Sequence, residues 1–254
     1  MTTRYRAILA YDGTAYQGFQ RQLDAPTIQG QVEAALEAVT RQRVTVIGAG
    51  RTDTGVHATG QVIAFEVEWR HEPAALLNAV NANLPDDIAV QDIALAAAGF
   101  HPRFDARART YRYTIITAPQ RQPLLRQRAW WLRGELDGAA LQHASALLIG
   151  EHDFATFGKP PQGNNTVRTV MQSGWQQSGQ SGQNETFGQR WIYTIQANAF
   201  LQHMVRRVVG LLVQVGRGAM SHAEFEVLFR RAELASGIPL APPQGLALER
   251  VDYE

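Results

Sequence analysis

The sequence predicts an α+β fold in which two similar halves each combine helices with largely antiparallel strands. Segments with alternating apolar residues follow one another without a regular strand–helix–strand rhythm, which favours antiparallel neighbours over a doubly wound parallel sheet. Strand and helix patterns also occur in mixed order on both sides of residue 105. Because 254 residues are enough for two domains, we predict a division into residues 1–105 and 106–254.

In the first half, alternation predicts four strands and helical spacing predicts two helices. The strands are residues 4–11, 43–47, 61–69 and 88–94, and the helices are residues 27–41 and 73–82. The first helix is supported by Ile28, Val32 and Leu36, which recur at near-helical spacing. The second begins with Pro73, a residue that the first turn of a helix tolerates.

In the second half, the same patterns predict four strands and three helices. The strands are residues 109–117, 167–176, 189–197 and 246–253, and the helices are residues 137–148, 202–217 and one beginning after Ser221. Asp137 is a helix cap, and Ser221 with Glu224 forms a capping box. The segment 177–188 is rich in Gln, Ser and Gly, which is typical of a disordered hairpin tip.

Composition excludes several classes of chemistry. The chain has no cysteine, so thiolate metal sites, iron–sulfur clusters and cysteine nucleophiles are excluded. Its single lysine, Lys159, lies in a Gly-Lys-Pro-Pro loop without a phosphate-binding motif, and its histidines are scattered without metal-ligand spacing. We therefore expect chemistry, or binding alone, without a metal or cofactor. The most apolar stretch, 208–216, is only nine residues and too short to span a membrane, so we expect a soluble, cytoplasmic protein.

Positive charge is concentrated between residues 101 and 133. This segment contains eight arginines and a single acid, Asp105. The arginines are Arg103, Arg107, Arg109, Arg112, Arg121, Arg126, Arg128 and Arg133. A GC-rich coding sequence would explain the preference for arginine over lysine, but it does not explain the clustering. The cluster is typical of a surface that binds a polyanion.

The strongest local feature is the glycine-rich loop at residues 48–57. Three glycines permit unusual backbone angles and close approach of a ligand, and the loop carries Arg51, Asp53 and His57. Asp53 is a candidate catalytic carboxylate. It is equally a candidate for an Asx turn into Gly55, which is the usual role of an aspartate in a loop. The local sequence leaves both interpretations open.

Two further features carry alternatives of the same kind. Arg206 lies at the edge of the apolar surface of the 202–217 helix, so it either pairs with a carboxylate or extends to solvent as an ordinary arginine. Its neighbour Arg207 is the better candidate for solvent or phosphate contact. Tyr111 and Tyr113 share one strand face inside the arginine cluster, where they would stack on bases or pack in the core.

At these residues the sequence closely resembles the tRNA pseudouridine synthase A family. The resemblance extends over nearly the whole chain and its motifs occur in order. They are Tyr11-Asp12-Gly13-Thr14, Gly18-Phe19-Gln20-Arg21-Gln22, residues 48–62 with the core Gly50-Arg51-Thr52-Asp53-Thr54-Gly55-Val56-His57, Val80-Asn81-Ala82-Asn83-Leu84-Pro85, Phe100-His101-Pro102-Arg103-Phe104, Arg109-Thr110-Tyr111-Arg112-Tyr113, Gly150-Glu151-His152-Asp153-Phe154, residues 200–210 and Gln244-Gly245-Leu246.

The resemblance implies the pseudouridine synthase fold, with an active-site cleft between the halves. It implies a cofactor-free isomerase that converts uridine to pseudouridine at positions 38, 39 and 40 in the anticodon stem-loop of tRNA. Asp53 would be the nucleophile, Arg206 its ion-pair partner and Arg51 a support for base flipping. Tyr111 would contact the target base. The family is homodimeric and binds one tRNA across both subunits.

The same residues suggest which side chains bind the substrate backbone and which alternatives compete. Arg103, Arg107 and Arg109 are the leading candidates for contacts with tRNA phosphates.

A non-catalytic protein that binds structured RNA is one alternative function, in which Asp53 is only a turn residue. A nucleoside or glycoside hydrolase is another, but such enzymes normally use two carboxylates, and the sequence offers no second acid clearly placed with Asp53.

Overall fold

The structure, a computed structural model, describes residues 2–161, 163–178, 188–234 and 237–254. The strands are β1 (Thr3–Tyr11), β2 (Ile47–Gly48), β3 (His57–Val67), β4 (Ile88–Leu95), β5 (Ala108–Thr117), β6 (Trp130–Leu132), β7 (Gly150–Asp153), β8 (Val167–Ser178), β9 (Gln189–Ala197) and β10 (Leu246–Asp252). The helices are α1 (Ile28–Thr40), α2 (Pro73–Asn81), α3 (Gly138–Ala146), α4 (Met204–Gly216) and α5 (His222–Arg230). The predicted α+β class is confirmed.

Contacts divide the chain into two compact units. The first comprises Met1–Arg107 together with Ala247–Glu254, and the second comprises Ala108–Leu246. The predicted division assigned the C-terminal strand to the second half, whereas nearly all of β10 belongs to the first unit. The reason is pairing: Ala247 and Leu248 of β10 lie beside His57 and Ala58 of β3, a long-range contact that no local pattern encodes.

The first unit is built on the strand order β4–β1–β3–β10, with β2 also paired to β3. β1 is antiparallel to both β3 and β4, and β10 is parallel to β3. Val32 and Leu36 of α1 line the same apolar space as Ala7 and Ile63 of the neighbouring strands. The buried face of α1 therefore rests against this sheet, as its apolar spacing predicts.

The second unit has the strand order β5–β9–β8–β7, all antiparallel where paired, with β6 parallel to β5. The helix α3 packs on β8 and on α4, and α5 contacts both helices. Tyr113 of β5 and Tyr193 of β9 are paired in register and completely buried. An aromatic cluster that includes Phe154, Phe157 and Phe229 completes the core.

Most predicted elements are confirmed within a few residues, including the Asp137 cap and the Ser221 capping box. The predicted strand 43–47 is largely absent, because only Ile47–Gly48 joins the ladder of β3. Two short strands, β6 and β7, were missed. The interior of the predicted hairpin tip 177–188, residues 179–187, lies outside the described residues. Within the described ranges, no helix is long and apolar enough to cross a membrane.

Candidate active site

The Asp53 loop, defined here as residues 49–56, connects β2 to β3. The backbone carbonyl of Asp53 accepts a hydrogen bond from the Val56 N–H at 3.1 Å, and Gly55 has a φ of 75°. This is the third position of a tight turn that requires a positive φ, which glycine adopts without strain. Asp53 is half-buried at the start of this turn, and Arg51 is exposed. The turn fixes the backbone from which the Asp53 carboxylate projects.

A second stretch of chain, the supporting segment (residues 16–21), lies directly against this loop. The Phe19 N–H donates to the Thr52 carbonyl at 3.1 Å, and the Gly55 N–H donates to the Tyr16 carbonyl at 3.3 Å. Gly18 has a φ of 84°, and a Cβ at this position would lie 2.6 Å from the Thr52 carbonyl oxygen. The approach is so close that only glycine fits, which explains the glycine of the Gly-Phe-Gln motif.

Buried polar side chains hold the loop from below. The hydroxyl groups of Tyr11 and Thr52 are hydrogen-bonded at 2.9 Å. The Gln61 side chain clamps Gly50, donating to its carbonyl at 2.7 Å and accepting from its N–H at 3.3 Å. Burial raises the pKa of Tyr11 to about 12, although hydrogen bonds from Thr52 and Gln61 oppose the shift. The Tyr11 hydroxyl is therefore neutral at physiological pH.

His57, which follows Arg51 and Asp53 in the glycine-rich loop, makes contacts that stabilise the fold. It is buried, and its Nδ1 accepts the Gly13 N–H at 3.0 Å. The same nitrogen lies 3.0 Å from Oδ1 of Asp12, which caps the turn after β1 by accepting from the Thr14 N–H. His57 thus fixes the turn after β1 to the beginning of β3, beside the Asp53 loop.

In the second unit, β5 presents two tyrosines with different surroundings. Tyr111 is 8% exposed, and its ring meets that of Phe200 edge-on, with centroids 5.0 Å apart. Tyr113 is completely buried and donates its hydroxyl to the Pro242 carbonyl at 2.7 Å. Burial raises the pKa of Tyr113, against the opposing effect of the positive charge on Arg206. Tyr113 is therefore the core tyrosine of the pair.

Arg206 is half-buried near the beginning of α4. Its Nε donates to the Ala241 carbonyl at 2.8 Å, and the Ala241 N–H donates to the Arg206 carbonyl at 3.1 Å. Gly210, one turn further along, lies so close to Pro239 that a Cβ would be 2.1 Å from the proline carbonyl. The chain at residues 239–242 therefore holds Arg206 through both its backbone carbonyl and its Nε. Arg207 is half-buried and donates from Nη1 to the Phe157 carbonyl at 3.1 Å, and its solvent or phosphate contact stays a prediction.

The predicted arginine cluster separates into exposed and buried members. Arg107 is exposed, whereas Arg109 is only 9% exposed and donates to the Asn198 carbonyl at 2.7 Å. Arg103 is half-buried, with its guanidinium over the Phe104 ring. The remaining five, Arg112, Arg121, Arg126, Arg128 and Arg133, are exposed. The positive surface therefore consists of fewer arginines than the sequence cluster contains.

The predicted site residues are distributed over both units. Asp53, Arg51, Arg103 and Arg107 belong to the first, and Tyr111, Arg109 and Arg206 to the second. Sequence reasoning missed the supporting side chains Tyr11, Thr52 and Gln61, whose only signal was their position inside the matched motifs. Among the described residues, no group of three or more His, Asp or Glu side chains is arranged to hold a metal ion.

Comparison with known proteins agrees with the motifs. A family model described as tRNA pseudouridine synthase matches residues 7–105 and 144–254. Proteins named tRNA pseudouridine synthase A are similar over almost the full chain. The one from Chloroflexus aurantiacus is 45% identical over 97% of this chain and 87% of its own. Those from Neisseria gonorrhoeae and Pseudothermotoga lettingae are 40% and 39% identical, over 98% of this chain and 92% and 99% of theirs. The chain belongs to the tRNA pseudouridine synthase family, a family of isomerases.

Proposed function

We propose that the protein converts uridine to pseudouridine at positions 38, 39 and 40 in the anticodon stem-loop of tRNA. Membership of the tRNA pseudouridine synthase family supports the reaction and the substrate class. The resemblance to the tRNA pseudouridine synthase A motifs supports the positions. The single observation that carries the proposal is Asp53, which stands at the aspartate of the Gly-Arg-Thr-Asp motif on a loop fixed by two layers of hydrogen bonds.

The reaction is an isomerisation, so its atoms balance without a second substrate. The glycosidic bond between N1 and C1′ breaks, the uracil rotates, and a new bond forms between C5 and C1′. The proton on C5 is lost and N1 gains a proton, which leaves the composition of the nucleotide unchanged. We assign Asp53 as the nucleophile of this reaction. A carboxylate suits that role because it provides an anion without a metal or a cofactor.

Three residues assist Asp53 in this proposal. Arg206 pairs with the carboxylate and favours its ionised form, because an opposite charge at short range stabilises the anion. Tyr111 contacts the target uracil once the base has left the stack, as modification of a stacked base requires. Arg51, which is exposed on the Asp53 loop, supports the flipped state by occupying the position that the base vacates.

Backbone contacts to tRNA are assigned to the accessible arginines. Arg103 and Arg107 contact phosphates, since the planar guanidinium can donate two parallel hydrogen bonds to phosphate oxygens. Arg109 was expected to do the same. Its burial and its hydrogen bond to the Asn198 carbonyl favour a different contribution, which is to hold the beginning of β5 near Tyr111. The resemblance further supports a cytoplasmic homodimer that binds one tRNA across both subunits.

The decisive experiment measures pseudouridine in an unmodified tRNA that carries uridine at position 38, 39 or 40, with no metal or cofactor added beyond the buffer. Wild type is expected to convert these sites. Asp53→Asn is expected to bind the tRNA with similar affinity and to form no pseudouridine, because the amide is nearly isosteric but is not a nucleophile. Conversion by Asp53→Asn would refute the assignment of Asp53. Binding without conversion by wild type would favour a non-catalytic RNA-binding protein.

A further inference from the structure

A buried pair of side chains on α1 holds the chain immediately before the Asp53 loop. Val46 precedes β2 and has no strand partner, yet both of its backbone polar groups are satisfied. Its N–H donates to Oε1 of Glu33 at 3.0 Å, and its carbonyl accepts from Nε2 of Gln29 at 3.1 Å. Two side chains thus replace the neighbouring strand that residues 43–47 were predicted to have.

The Glu33 carboxylate receives donors from three parts of the first unit. Besides the Val46 N–H, it accepts from Nε2 of Gln29 at 2.8 Å and from Nη1 of Arg21 at 3.1 Å. Glu33 is only 7% exposed. A buried carboxylate is stable only when its oxygens are satisfied, and here the partners come from α1, the supporting segment and residue 46.

Gln29 connects the same pair to the supporting segment a second time. Its Oε1 accepts from the Arg21 N–H at 2.9 Å and from Nε2 of Gln20 at 2.8 Å. The backbone N–H of Gln29 donates to the Phe19 carbonyl at 2.9 Å. The amide therefore uses its oxygen toward residues 20 and 21 and its nitrogen toward Glu33 and Val46, an arrangement that uses all of its hydrogen-bonding capacity.

These contacts converge on the two chain segments that determine where Asp53 lies. The supporting segment touches the loop at Thr52 and Gly55. Val46 lies three residues before Ala49, where the loop begins. We propose that Glu33 and Gln29 are positioning residues for the Asp53 loop: they lock both segments to α1, so that the carboxylate projects from a fixed backbone. The inference rests on the proposed role of Asp53 in pseudouridine formation.

The charge and the acceptor-only character of Glu33 matter more than its size. In Glu33→Gln, one of the two oxygens becomes an NH2 group, which faces an N–H donor instead of accepting from it. The volume is unchanged, so packing of α1 is preserved while one branch of the connection is lost. Such small displacements are costly in catalysis: a misplacement of about 1 Å can reduce a rate roughly 100-fold.

The first unit contains a matched control at the edge strand β4, which β1 and β3 separate from β2 in the strand order. Asn81 at the end of α2 clamps Val90 of the edge strand β4, donating to its carbonyl at 2.9 Å and accepting from its N–H at 2.7 Å. This is the same type of helix-to-backbone clamp, but its two hydrogen bonds join α2 to β4 and not to the supporting segment or the Asp53 loop. Asn81→Ala therefore reports the cost of losing a clamp as such.

The experiment compares single-turnover rates of pseudouridine formation, tRNA affinities and thermal stabilities. Glu33→Gln is expected to slow the reaction by about tenfold or more without weakening tRNA binding. Gln29→Ala is expected to have the same effect, and it replaces Glu33→Gln if that variant is too unstable to purify. The double variant is expected to be no slower than the more severe single variant, because the two residues act through one connection. Asn81→Ala and Glu37→Gln, an exposed glutamate one turn further along α1, are expected to keep the wild-type rate.

Two results would overturn the inference. One is a wild-type rate in both Glu33→Gln and Gln29→Ala, and the other is a rate loss in Asn81→Ala equal to theirs, which would reduce the effect to general destabilisation. Asp53→Asn in the same assay separates this failure from failure of the proposed function. If wild type converts uridine and Asp53→Asn does not, the proposed function stands whatever the Glu33 and Gln29 variants show.

Discussion

The Asp53 loop and the elements that carry Tyr111 and Arg206 achieve fixed geometry in different ways. Tyr111 lies on β5 and Arg206 on α4, where regular hydrogen bonding satisfies the backbone and apolar burial sets the position. Asp53 lies on an irregular loop without such a ladder. The loop is held instead by backbone hydrogen bonds to the supporting segment and by the side chains of Tyr11 and Gln61. Glu33 and Gln29 hold Val46, shortly before the loop begins.

The difference predicts where each region is vulnerable. A helix or a strand loses little geometry when one side chain is truncated, because its neighbours still satisfy the same periodic backbone. A loop held by individual contacts loses a specific constraint with each one. Pseudouridine formation should therefore respond to small substitutions in the first unit at residues that do not touch the substrate. The loss of rate should exceed what the effect of each substitution on stability explains.

The largest effect is expected for Gly18→Ala. The new Cβ would meet the Thr52 carbonyl at 2.6 Å, and the displaced Asp53 loop should slow pseudouridine formation roughly 100-fold. Gly99→Ala is the control, because Gly99 has a nearly identical φ of 82° with nothing within 4 Å of the added Cβ. Both variants should lose about 1–3 kcal/mol of stability from backbone strain, measured by urea unfolding. Equal activity in the two would show that the close approach at Gly18 does not position the loop.

An intermediate effect is expected on stability at alkaline pH. Burial raises the pKa of Tyr11 from 10.0 to about 12, so its contribution is fully present below pH 10 and is lost as the pH rises through 12. In that window the unfolded chain releases the proton first, and stability falls by about 1.4 kcal/mol per pH unit for this residue. Tyr11→Phe should have a correspondingly shallower slope in urea unfolding measured across the window. An unchanged slope would mean that Tyr11 ionises alike in both states.

The smallest effect is expected for the arginines that flank the boundary between the units. Arg107→Ala should weaken tRNA binding and reduce the slope of log affinity against log salt by about 0.7–0.9, the value of one phosphate contact. Arg109→Ala should leave this slope unchanged and lower stability instead, because its guanidinium is buried against the Asn198 carbonyl. Filter binding over a range of salt concentrations distinguishes the two, and a reversed pattern would relocate the phosphate contacts.

The parts of the fold that local pattern encodes were predictable. Apolar spacing and capping residues predicted α1 and α3 to within a few residues at each end and also the beginning of α5, since caps act on the adjacent turn alone. The alternating segment 43–47 was the instructive failure. Val44 and Val46 are buried as a strand predicts, but Glu33 and Gln29 bind the backbone of Val46 in place of a strand. β6 and β7 were missed because three or four residues are too few for a period to emerge.

By itself, the sequence determined the fold class, most of the helices and strands, and the family, because these follow from local periodicity and from ordered motifs. It also identified Asp53 as the candidate catalytic residue. Tertiary structure alone decided that β10 pairs with β3, that Arg109 and Arg207 bind backbone carbonyls, and that Glu33 and Gln29 join α1 to the chain around Asp53. Each depends on contacts between residues far apart in the chain, where a side chain's partner is set by packing and not by its neighbours in sequence.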